Sequence, residues 1–486
     1  MTDRASGTPL WIDLVARAVE AGRDRVLVVP GDDPGAGWTG AELTRRIGGA
    51  AALLDRAGCP PGTVVPALMT TRPEAMAVVV AGAVTRRPVA PLSPRLTVAE
   101  LADCAGALDS PVILCEPGSI ALGRALAGAC GRQLVPVGDL APAPPPPLSA
   151  AADATAFVLH TSGTTGRPRR VDVRQDRMGA RAVVNARLTR LDAGSVYSAS
   201  SPFHHIGGLG AFAVALAAGA RIVTFPRFTV DAWQSLGRLG VTHAQAVPSM
   251  IEMLLRADAF ALPTLRLLQY GASPIHPATL RRALAAMPGA AFVNLFGQTE
   301  GAPLTCLSPE DHERAANGDE ELLKSVGTPV GEVELTVHEP DDDGVGEVWA
   351  RGAHLFAPGA DGWLRTGDLG RVDERGYVFL AGRRGDMIIR GGENVYPLEV
   401  EQTLTRHDDV EEAAVVGVPD ERVGEAVKAF VVPRDPAAPP DPAELRAFAR
   451  TTLAGFKVPE LWEFVPALPR NPNGKVLRRA LTQPTR

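Results

Sequence analysis

Thr161-Ser162-Gly163-Thr164-Thr165-Gly166-Arg167-Pro168-Arg169-Arg170 follows the apolar run Phe157-Val158-Leu159. Glycines and small residues let backbone N–H groups approach an anion closely, the hydroxyls add donors, and the arginines add positive charge. The stretch therefore predicts a phosphate-binding loop after a buried strand, with a nucleotide polyphosphate as the expected ligand. Its spacing excludes an ordinary P-loop, because Gly163 and Gly166 are too close together and no Lys-Ser or Lys-Thr follows. A Ser/Gly-rich linker is the alternative while the loop is considered alone.

The composition is that of an ordinary globular protein. The chain has 486 residues, of which 45% are hydrophobic, enough for roughly two to four folding units. The net charge is -6 and only 5% of the residues are aromatic, so the composition does not indicate a nucleic-acid-binding protein. The N-terminal residues lack a signal-peptide pattern, and the longest apolar stretches, near 75–84 and 209–220, are shorter than a membrane span. We expect a cytoplasmic monomer or homodimer with no membrane span and no nucleic-acid partner.

The cysteines give no sign of a metal or redox site. There are 5 of them, far apart in the chain and without a CxxC pair. We expect reduced core residues.

Short apolar runs alternate with helical patterns, which is typical of parallel α/β layers. Thr39-x-x-Glu42 and Thr97-x-x-Glu100 have the spacing of capping boxes that begin helices. The proline-rich segment 141–147 can continue neither helix nor sheet, so we expect a stiff connector there between two subdomains.

The organisation changes toward the C-terminus. Two short apolar runs at 333–337 and 346–350 predict antiparallel strands of a smaller β unit. After Leu380 the pattern predicts a compact α+β module with helices at 397–404 and 443–452 and strands at 413–418 and 427–432.

Two carboxylates stand in motifs that suit nucleotide chemistry. Glu300 ends the stretch Asn294-Leu295-Phe296-Gly297-Gln298-Thr299-Glu300, and a Glu near polyphosphate is a natural partner for Mg²⁺. Asp368 follows Thr366-Gly367, and a short carboxylate there can accept both hydroxyls of a ribose. A solvated loop charge explains Glu300 taken alone, and turn chemistry alone explains the Gly-Asp pair.

Two glycine-punctuated segments complete the set. The segment 382–397 is rich in glycine and charge and lies at the apparent domain boundary, so it predicts a hinge. Near the C-terminus, Pro469-Arg470-Asn471-Pro472-Asn473-Gly474-Lys475 is a tight loop that presents one lysine. Taken alone, Lys475 is explained as an exposed surface lysine without a specific role.

In this order, the segments resemble the adenylate-forming superfamily of acyl-CoA synthetases, peptide-synthetase adenylation domains and luciferases over nearly the whole chain. The shared motifs are Ser/Thr-Ser-Gly-Ser/Thr-Thr-Gly-x-Pro, Pro-x-x-His at Pro202 to His205, aromatic-Gly-x-Thr-Glu, Thr-Gly-Asp, Gly-Arg-x-x-Asp and Pro-Arg-x-x-x-Gly-Lys. The resemblance implies that ATP and a carboxylate give an acyl-adenylate and pyrophosphate, after which a thiol displaces AMP to give a thioester. It implies ATP, Mg²⁺ and coenzyme A as cofactors.

The expected fold class is α/β. The resemblance implies a large N-terminal domain of two doubly wound α/β subdomains plus a small β-barrel-like unit, followed by a small mobile α+β C-terminal domain. We place the adenylation core at 1–382 with a subdomain break near 141–150, the hinge at 383–386 with Gly385 at its centre, and the lid domain at 387–486.

The resemblance also assigns roles to residues. Thr299 would contact the α-phosphate, Glu300 would bind Mg²⁺, and Lys475 would bridge the carboxylate oxygen and the α-phosphate. Phe296 would stack on adenine opposite residues 271–273. The residues implied to bind the nucleotide are Thr161, Ser162, Gly163, Thr164, Thr165, Gly166, Arg167, Arg169, Gly271, Ala272, Ser273, Asn294, Phe296, Gly297, Asp368 and Arg383.

The acyl pocket of such enzymes would lie beyond His205, which the resemblance makes a gate on the carboxylate side. Its implied lining is His204, Gly207, Gly208, Gln269, Tyr270, Gln298 and Ala302, with Ile206, Leu209, Val247, Pro303 and Leu304. An α-amino acid is not expected, because a His-His pair replaces the Asp of amino-acid-activating domains. The small residues Gly207, Gly208 and Ala272 are expected to leave room for a ring.

Polar side chains in that region point to a substituted ring as the substrate. Gln245, Gln269, Tyr270 and Gln298 could hydrogen-bond a ring substituent. A benzoate- or cinnamate-like acid is favoured, and a medium-chain acid fits nearly as well.

The acceptor is expected to be coenzyme A. The segment 391–401 resembles the version found in CoA ligases, which places Gly391 and Gly392 on the CoA side. Transfer of the acyl group to a carrier-protein thiol, an amine or nitrite is the alternative. A non-catalytic binder of acyl or nucleotide ligands is the other.

Three positions depart from the family pattern. Arg169 stands where the family usually has Lys, Phe296 where it usually has Tyr, and Gly385 where the hinge residue is usually Asp or Lys. Arg169 keeps the charge but makes a forked, planar contact. Gly385 keeps rotational freedom but has no side chain that could latch the hinge.

Overall fold

The computed structural model describes residues 8–162, 168–470 and 476–482. These residues form two compact units. The first unit is Met1–Glu334 with Arg351–Leu364, and the second is Leu335–Ala350 with Arg365–Arg486.

The helices have the following bounds in chain order: α1 Trp11–Ala21, α2 Gly40–Arg56, α3 Pro73–Val84, α4 Val98–Gly106, α5 Ile120–Cys130, α6 Gln175–Leu188, α7 Ala211–Ala217, α8 Val230–Arg238, α9 Pro248–Arg256, α10 Pro277–Ala286, α11 Pro309–Ala316, α12 Pro397–Leu404, α13 Pro442–Ala449 and α14 Arg478–Thr482. A π-helical turn, Ile206–Gly210, precedes α7. Among the described residues, no helix is both long and apolar enough to cross a membrane.

The strands of the first unit are β1 Val26–Pro30, β2 Trp38–Thr39, β3 Val65–Leu68, β4 Val89–Pro91, β5 Val112–Cys115, β6 Gln133–Pro136, β7 Thr155–Ser162, β8 Pro168–Arg174, β9 Val196–Ala199, β10 Arg221–Thr224, β11 His243–Ala246, β12 Leu267–Gly271, β13 Ala291–Gln298, β14 Gly301–Leu307 and β15 Thr328–Pro329. Those that follow are β16 Glu334–His338, β17 Gly346–Arg351, β18 Leu364–Val372, β19 Val378–Arg383, β20 Ile388–Arg390, β21 Glu393–Val395, β22 Val410–Asp420, β23 Gly424–Pro433 and β24 Leu461–Phe464.

Two sheets organise the first unit. One has the order β6-β5-β3-β4-β7-β8 and is parallel except for β8. The other has the order β15-β14-β13-β12-β11-β9-β10-β1-β2, with a parallel centre and antiparallel strands toward both edges. The expected doubly wound α/β class is confirmed.

The largest apolar core of this unit joins the two sheets. Helices α1, α2, α3 and α7 supply most of its residues, including Trp11, which is fully buried. Strand residues on one side come from β3 and β7, and on the other side from β1, β9 and β10. Because helices cover both inner sheet faces, the parallel strands are apolar along nearly their whole length.

The proline-rich segment 141–147 does not separate the two sheets, contrary to our expectation. Strands before it, β3 to β6, and after it, β7 and β8, share one sheet. The segment lies on α2, where a Cβ at Gly48 or Gly49 would come 2.2 Å from its backbone oxygens. The prolines exclude regular hydrogen bonding within the segment. They do not prevent the strands that follow it, β7 and β8, from joining the same sheet as the strands before it.

The capping predictions differ in outcome. At α4, Thr97 accepts from the Glu100 N–H, and the Glu100 carboxylate accepts from the Thr97 N–H, which is a complete capping box. At α2, Thr39 accepts from the Glu42 N–H at 3.2 Å, but the Glu42 carboxylate binds Arg45 and Arg46 instead. The second box is therefore half formed.

The second unit contains the two predicted C-terminal modules. One sheet has the order β16-β17-β18-β19, and the other has the order β21-β20-β23-β22 with β24 beside β23. Helices α12 and α13 bury Val400, Leu404, Leu445 and Ala449 against the second sheet. The predicted helix at 397–404 has these bounds in the structure. The cysteines are free, as expected.

Candidate functional site

The predicted phosphate loop lies at the end of a β-hairpin. Strands β7 and β8 are antiparallel, with Thr161 opposite Arg169 and Ser162 opposite Pro168. The Thr161 hydroxyl lies 3.5 Å from the Arg169 backbone oxygen. The loop itself, which contains Gly163, Thr164, Thr165, Gly166 and Arg167, falls outside the described residues, so its part in phosphate binding stays a prediction.

Thr299 and Glu300 form the tip of a second hairpin. Strands β13 and β14 pair antiparallel with Gln298 opposite Gly301, which leaves only these two residues in the turn. The Glu300 backbone oxygen accepts hydrogen bonds from the Phe356 and Ala357 N–H groups at 2.7 and 3.1 Å. The turn is therefore fixed by a separate chain segment.

Position 297 in this hairpin requires a glycine, because other backbone atoms lie very close to it. A Cβ at this position would lie 2.8 Å from the Ala302 Cα and from the Gly301 oxygen. Only glycine fits without a shift of backbone atoms.

The two hairpins meet through one side-chain contact. Thr161 Oγ1 donates to Glu300 Oε1 at 3.4 Å, although the residues are 139 positions apart. A strand from each sheet of the first unit thus delivers a polar group to the same place. The structure brings the first residue of the predicted phosphate loop to the predicted metal-binding carboxylate.

The other candidate residues of the first unit follow the carboxyl ends of neighbouring parallel strands. Residues 202–205 follow β9, Val247 follows β11, residues 271–273 end and follow β12, and residues 296–300 end and follow β13. Because parallel strands share one carboxyl edge, these loops lie along the same edge of the nine-stranded sheet, where ligands of open α/β sheets bind.

The segment predicted to form one adenine wall has an unusual backbone. Gly271 and Ala272 have φ angles of +156° and +69°. A Cβ at Gly271 would lie 2.6 Å from the Leu295 oxygen. The left-handed conformation at Ala272 is uncommon for a residue with a side chain, and such residues cluster at functional sites.

Phe296 and Asn294 lie on the adjacent strand β13. Gly271 is in register with Leu295, so Phe296 stands one residue beyond the end of that pairing. Asn294 is buried and is in register with Tyr270. The residues predicted to hold adenine therefore come from two neighbouring strands.

The two histidines of the Pro-x-x-His motif contact each other. The ring centroids of His204 and His205 are 4.2 Å apart. Burial, together with the nearby His205 and Arg95, lowers the pKa of His204 to about 2, so His204 is neutral. The His205 N–H donates to the Pro202 oxygen at 3.1 Å, which fixes the start of the π-helical turn.

The glycines of that turn do not leave the open space that we expected. A Cβ at Gly208 would lie 1.9 Å from the Pro202 oxygen, and one at Gly207 would lie 2.9 Å from the Gln245 amide nitrogen. Gly208 thus serves a close backbone approach, and the space beside Gly207 is taken by a side chain that can move.

Tyr270 is also used differently from our expectation. It is fully buried, and its hydroxyl donates to His312 Nε2 at 2.8 Å, while His312 Nδ1 donates to the Ser308 oxygen at 2.7 Å. Gln269 points to the opposite face of β12 because side chains alternate along a strand. Gln269 remains a candidate for the acyl pocket, and Tyr270 belongs to the core.

The remaining pocket candidates lie where their segments place them. Gln245 is buried and is in register with Gln269 on the neighbouring strand. Gln298 is half-buried at the base of the Glu300 turn, and Ala302 packs against Gly297. Tyr197 belongs to none of the motifs, yet its hydroxyl donates to Gln245 Oε1 at 3.4 Å.

Arg181 on α6 was also missed. It is buried, yet its sequence context of alanine and glycine gives no charge or motif signal.

In the second unit, Asp368 and Arg383 come together as predicted partners. They are opposite each other on β18 and β19, and Arg383 Nε lies 2.8 Å from Asp368 Oδ1. Arg383 also donates to the Thr366 oxygen at 3.1 Å. Asp368 is buried while Arg383 is partly exposed, so the pair forms a charged edge on this sheet.

The predicted hinge is a short 3-10 turn, Arg384–Asp386. A Cβ at Gly385 would meet no atom within 4 Å, so the local space would accept a side chain. Gly391 and Gly392 form the turn between β20 and β21 with φ angles of +62° and +89°, which suits a two-residue hairpin.

Lys475 lies outside the described residues, but the helix that follows it is firmly held. Arg478, at the start of α14, forms a bidentate ion pair with Glu401 and lies 3.3 Å from Asp386. It also donates to the Val415 oxygen at 2.8 Å, and the Val415 N–H donates to Glu401 at 2.7 Å. Burial acts to lower the pKa of Arg478, but Glu401 and Asp386 raise it above its usual value.

Comparison with known proteins agrees with this arrangement. The family model described as AMP-binding enzyme matches residues 15–358, and the one described as AMP-binding enzyme C-terminal domain matches residues 399–475. The chain is 38% identical over 362 residues to a fatty acid–[acyl-carrier-protein] ligase, ScoC, of Streptomyces coeruleorubidus, covering 69% of each chain. It is 33% identical over 468 residues to a feruloyl-CoA synthase of an Amycolatopsis species, covering 91% of this chain and 93% of the relative.

A solved structure extends the likeness to the whole fold. The amide bond synthetase McbA from Marinactinospora thermotolerans superposes with a TM-score of 0.86 at 32% identity, covering 97% of this chain and 99% of that one. The chain therefore belongs to the AMP-binding enzymes of the adenylate-forming superfamily, in the acyl-CoA synthetase branch.

Proposed function

We propose that the protein is an AMP-forming acid–thiol ligase that activates a carboxylic acid with ATP and passes the acyl group to coenzyme A. A carboxylate oxygen attacks the α-phosphorus of ATP, which gives an acyl-adenylate and releases pyrophosphate. The thiol sulfur then attacks the acyl carbon, gives up its proton, and AMP leaves. The first step is needed because a carboxylate repels nucleophiles, whereas the adenylate is uncharged at the acyl carbon and carries a leaving group.

One observation carries the proposal: the contact of Thr161 with Glu300 at 3.4 Å. It joins the strand that leads into the hydroxyl- and arginine-rich loop to the hairpin tip that presents a carboxylate. In our proposal the loop residues, with Arg167 and the exposed Arg169, hold the β- and γ-phosphates, and Thr299 contacts the α-phosphate. These donors would then stabilise the charge that develops on the phosphates.

The same place suits Mg²⁺. Among the described ranges of the chain, no group of three or more His, Cys, Asp or Glu residues could hold a metal ion by itself. Mg²⁺ is usually bound by one or two carboxylates together with substrate phosphates and waters. A single Glu beside a phosphate-binding loop matches this coordination preference. When bound, the ion would neutralise phosphate charge, and Glu300 would be its protein ligand.

The nucleoside contacts are assigned within each unit. In the first unit, Phe296 stacks on adenine opposite Gly271, Ala272 and Ser273, and Asn294 contributes from the base of the same strand. In the second unit, Asp368 accepts the ribose hydroxyls and Arg383 holds its carboxylate in place, supported by their ion pair at 2.8 Å.

The C-terminal residues serve the two steps in turn. Lys475 bridges the acid oxygen and the α-phosphate in adenylation, and the lid at 387–486 then rotates about 383–386 to admit the thiol. Gly385 supports such a rotation through its backbone freedom. Gly391 and Gly392, in their hairpin turn, face the incoming coenzyme A.

The acid is proposed to be an aryl or medium-chain carboxylic acid. Gln245 and Gln269 are adjacent on neighbouring strands and can hydrogen-bond a substituent. His205 gates the carboxylate end, and His204, being neutral, adds no charge there. The names of the relatives cover both classes of acid, since one is named for fatty acids and another for the feruloyl group.

The acceptor has one alternative with support of its own. Among the similar proteins, one is named as an acyl-carrier-protein ligase and another as an amide bond synthetase. Transfer of the acyl-adenylate to a carrier protein, an amine or another nucleophile is therefore the second candidate.

A panel of acids tests both. The full-length protein is given ATP, Mg²⁺ and each of a set of aryl, aliphatic and amino acids, with and without coenzyme A, while pyrophosphate and the acyl product are measured. We expect pyrophosphate with several aryl or medium-chain acids and a CoA thioester when CoA is added. Pyrophosphate without thioester favours the second candidate, and the absence of pyrophosphate with every acid would show a non-catalytic binder.

A further inference from the structure

Among the residues that the structure describes, Arg181 is a buried cation without a counterion. It lies in the middle of α6 and is 4% exposed. Within the part of the chain that the structure describes, its Nε and Nη1 atoms have no hydrogen-bond partner, and no carboxylate forms an ion pair with it. Burial lowers its pKa to about 10, with Tyr197 acting in the opposite direction, so it is still protonated at neutral pH.

Such an arrangement is unfavourable by itself. Moving a guanidinium out of water is costly unless hydrogen bonds and an opposite charge replace the water. Buried arginines in proteins are normally paired for this reason. A site that keeps this charge unpaired in the free protein is suited to an anion that arrives with a ligand.

The position of the guanidinium indicates which ligand that is. Its carbon atom lies 3.3 Å from the Cβ position of Gly210, the last residue of the π-helical turn that begins after His205. A side chain at residue 210 would meet Ile206 Cδ1 at 2.6 Å before it met the guanidinium, so the guanidinium packs close to the backbone of this turn. The charge therefore lies against the turn that leads away from the proposed carboxylate gate.

The other side of the guanidinium is formed by the segment that fixes the Glu300 turn. The Phe356 ring centroid is 5.9 Å from the guanidinium carbon, and the Phe356 N–H is one of the two groups that donate to the Glu300 oxygen. Arg181 thus lies close both to the turn that follows His205 and to the segment that holds the Glu300 turn.

Neutral polar groups continue from Arg181 toward the proposed acyl pocket. Tyr197 is buried, interacts with the Arg181 charge, and donates to Gln245, whose amide nitrogen faces Gly207. Burial raises the pKa of Tyr197, so its hydroxyl keeps its proton and remains a donor. A polar path made of donors and one cation is the complement of an anionic group.

We propose that Arg181 binds a second anionic group on the acid substrate, so that the preferred acids are dicarboxylic or sulfocarboxylic acids. This inference rests on the proposed function, and it names the far end of the substrate whose near carboxylate is adenylated. The planar guanidinium can give two parallel hydrogen bonds to a carboxylate or sulfonate, which a lysine cannot reproduce.

The test compares acids with their singly charged analogues. Glutarate, adipate and terephthalate are each paired with their monomethyl esters, and 4-sulfobenzoate is paired with benzoate. Pyrophosphate release is measured for the wild-type protein and for Arg181→Met, Arg181→Lys and Arg187→Met. Arg187 is the matched control, because it is an exposed arginine on the same helix.

We expect the wild-type protein to favour the dianion of at least one pair by about 10- to 100-fold in kcat/KM, the range of a charge-assisted hydrogen bond. Arg181→Met should remove that preference, because kcat/KM should fall for the dianionic acid and stay unchanged for the ester. Arg181→Lys should keep part of the preference, and Arg187→Met should keep all of it. If Arg181→Met does not fold, the wild-type ratios and Arg181→Lys still decide the question.

Two failures are distinguishable. Pyrophosphate from singly charged acids, with no preference for any dianion and no effect of Arg181→Met on the ratios, overturns the inference about Arg181 and leaves the proposed function intact. No pyrophosphate from any acid contradicts the proposed function itself.

Discussion

Arg478 and Arg181 show two ways in which this fold treats a largely buried arginine, one in each unit. Arg478 has a bidentate carboxylate, a second carboxylate and a backbone oxygen around it. Arg181 has an aromatic ring and a glycine backbone, and two of its nitrogen atoms lack partners among the described residues.

The difference separates a structural role from a binding role. The surroundings of Arg478 satisfy it within its own unit, so its contribution is to hold α14, α12 and β22 together. The surroundings of Arg181 would be complete only with an anion added. The same side chain therefore stabilises one region by its pairing and leaves the other ready for a ligand.

The largest effect is expected three residues before Arg478. If the Arg478 pairing serves to present Lys475, then Lys475→Ala should lower adenylation about 10²- to 10³-fold, because a preformed donor to the developing charge is lost. Thioester formation from supplied acyl-adenylate should be spared. The two half-reactions are measured separately, as pyrophosphate release and as thioester formed from synthetic acyl-adenylate. Equal losses in both would contradict the assignment of Lys475 to the first step alone.

A smaller effect, on stability, is expected at Arg478. Arg478→Met leaves the buried Glu401 carboxylate without its partner, which should cost about 3 kcal/mol, since breaking a buried pair exposes an uncompensated charge. Hydrogen exchange of β22 amides is the measurement, because the Val415 N–H donates to Glu401. The double variant Glu401→Gln with Arg478→Met should recover part of the loss. Strictly additive losses would show that the pair is not coupled.

Local sequence patterns predict much of the fold. The predictions that fail are those that depend on which strands pair with each other. The helix at 397–404 and the capping box at Thr97 depend on neighbouring residues, and both are present in the structure. The segment 141–147 was expected to separate subdomains, because its prolines exclude regular structure. Whether the chain returns to the same sheet depends on β4 and β7 pairing over a long separation, which no local pattern encodes.

The candidate site shows the same limit. The motifs assign Thr161 and Glu300 to one nucleotide site, and the two side chains are in contact in the structure. The resemblance places Tyr270 in the pocket lining together with Gln269, but alternation along β12 turns Tyr270 toward His312. Arg181 belongs to no motif, so only its unpaired surroundings identify it.

The smallest effect is expected at Arg181, and its sign is opposite to that at Arg478. Arg181→Met removes a buried charge that has no carboxylate partner among the described residues, so the free protein should be about 1 kcal/mol more stable or unchanged, as when buried ions are replaced by apolar residues. The weak contact with the Phe356 ring and the interaction with Tyr197 oppose this gain. A dianionic acid at about 100 times its Kd should then stabilise the wild-type protein by about 2.7 kcal/mol and the variant much less. Thermal unfolding with and without the acid measures both quantities. A large loss of stability in Arg181→Met without ligand would place Arg181 with Arg478, as an arginine whose role is to hold the fold.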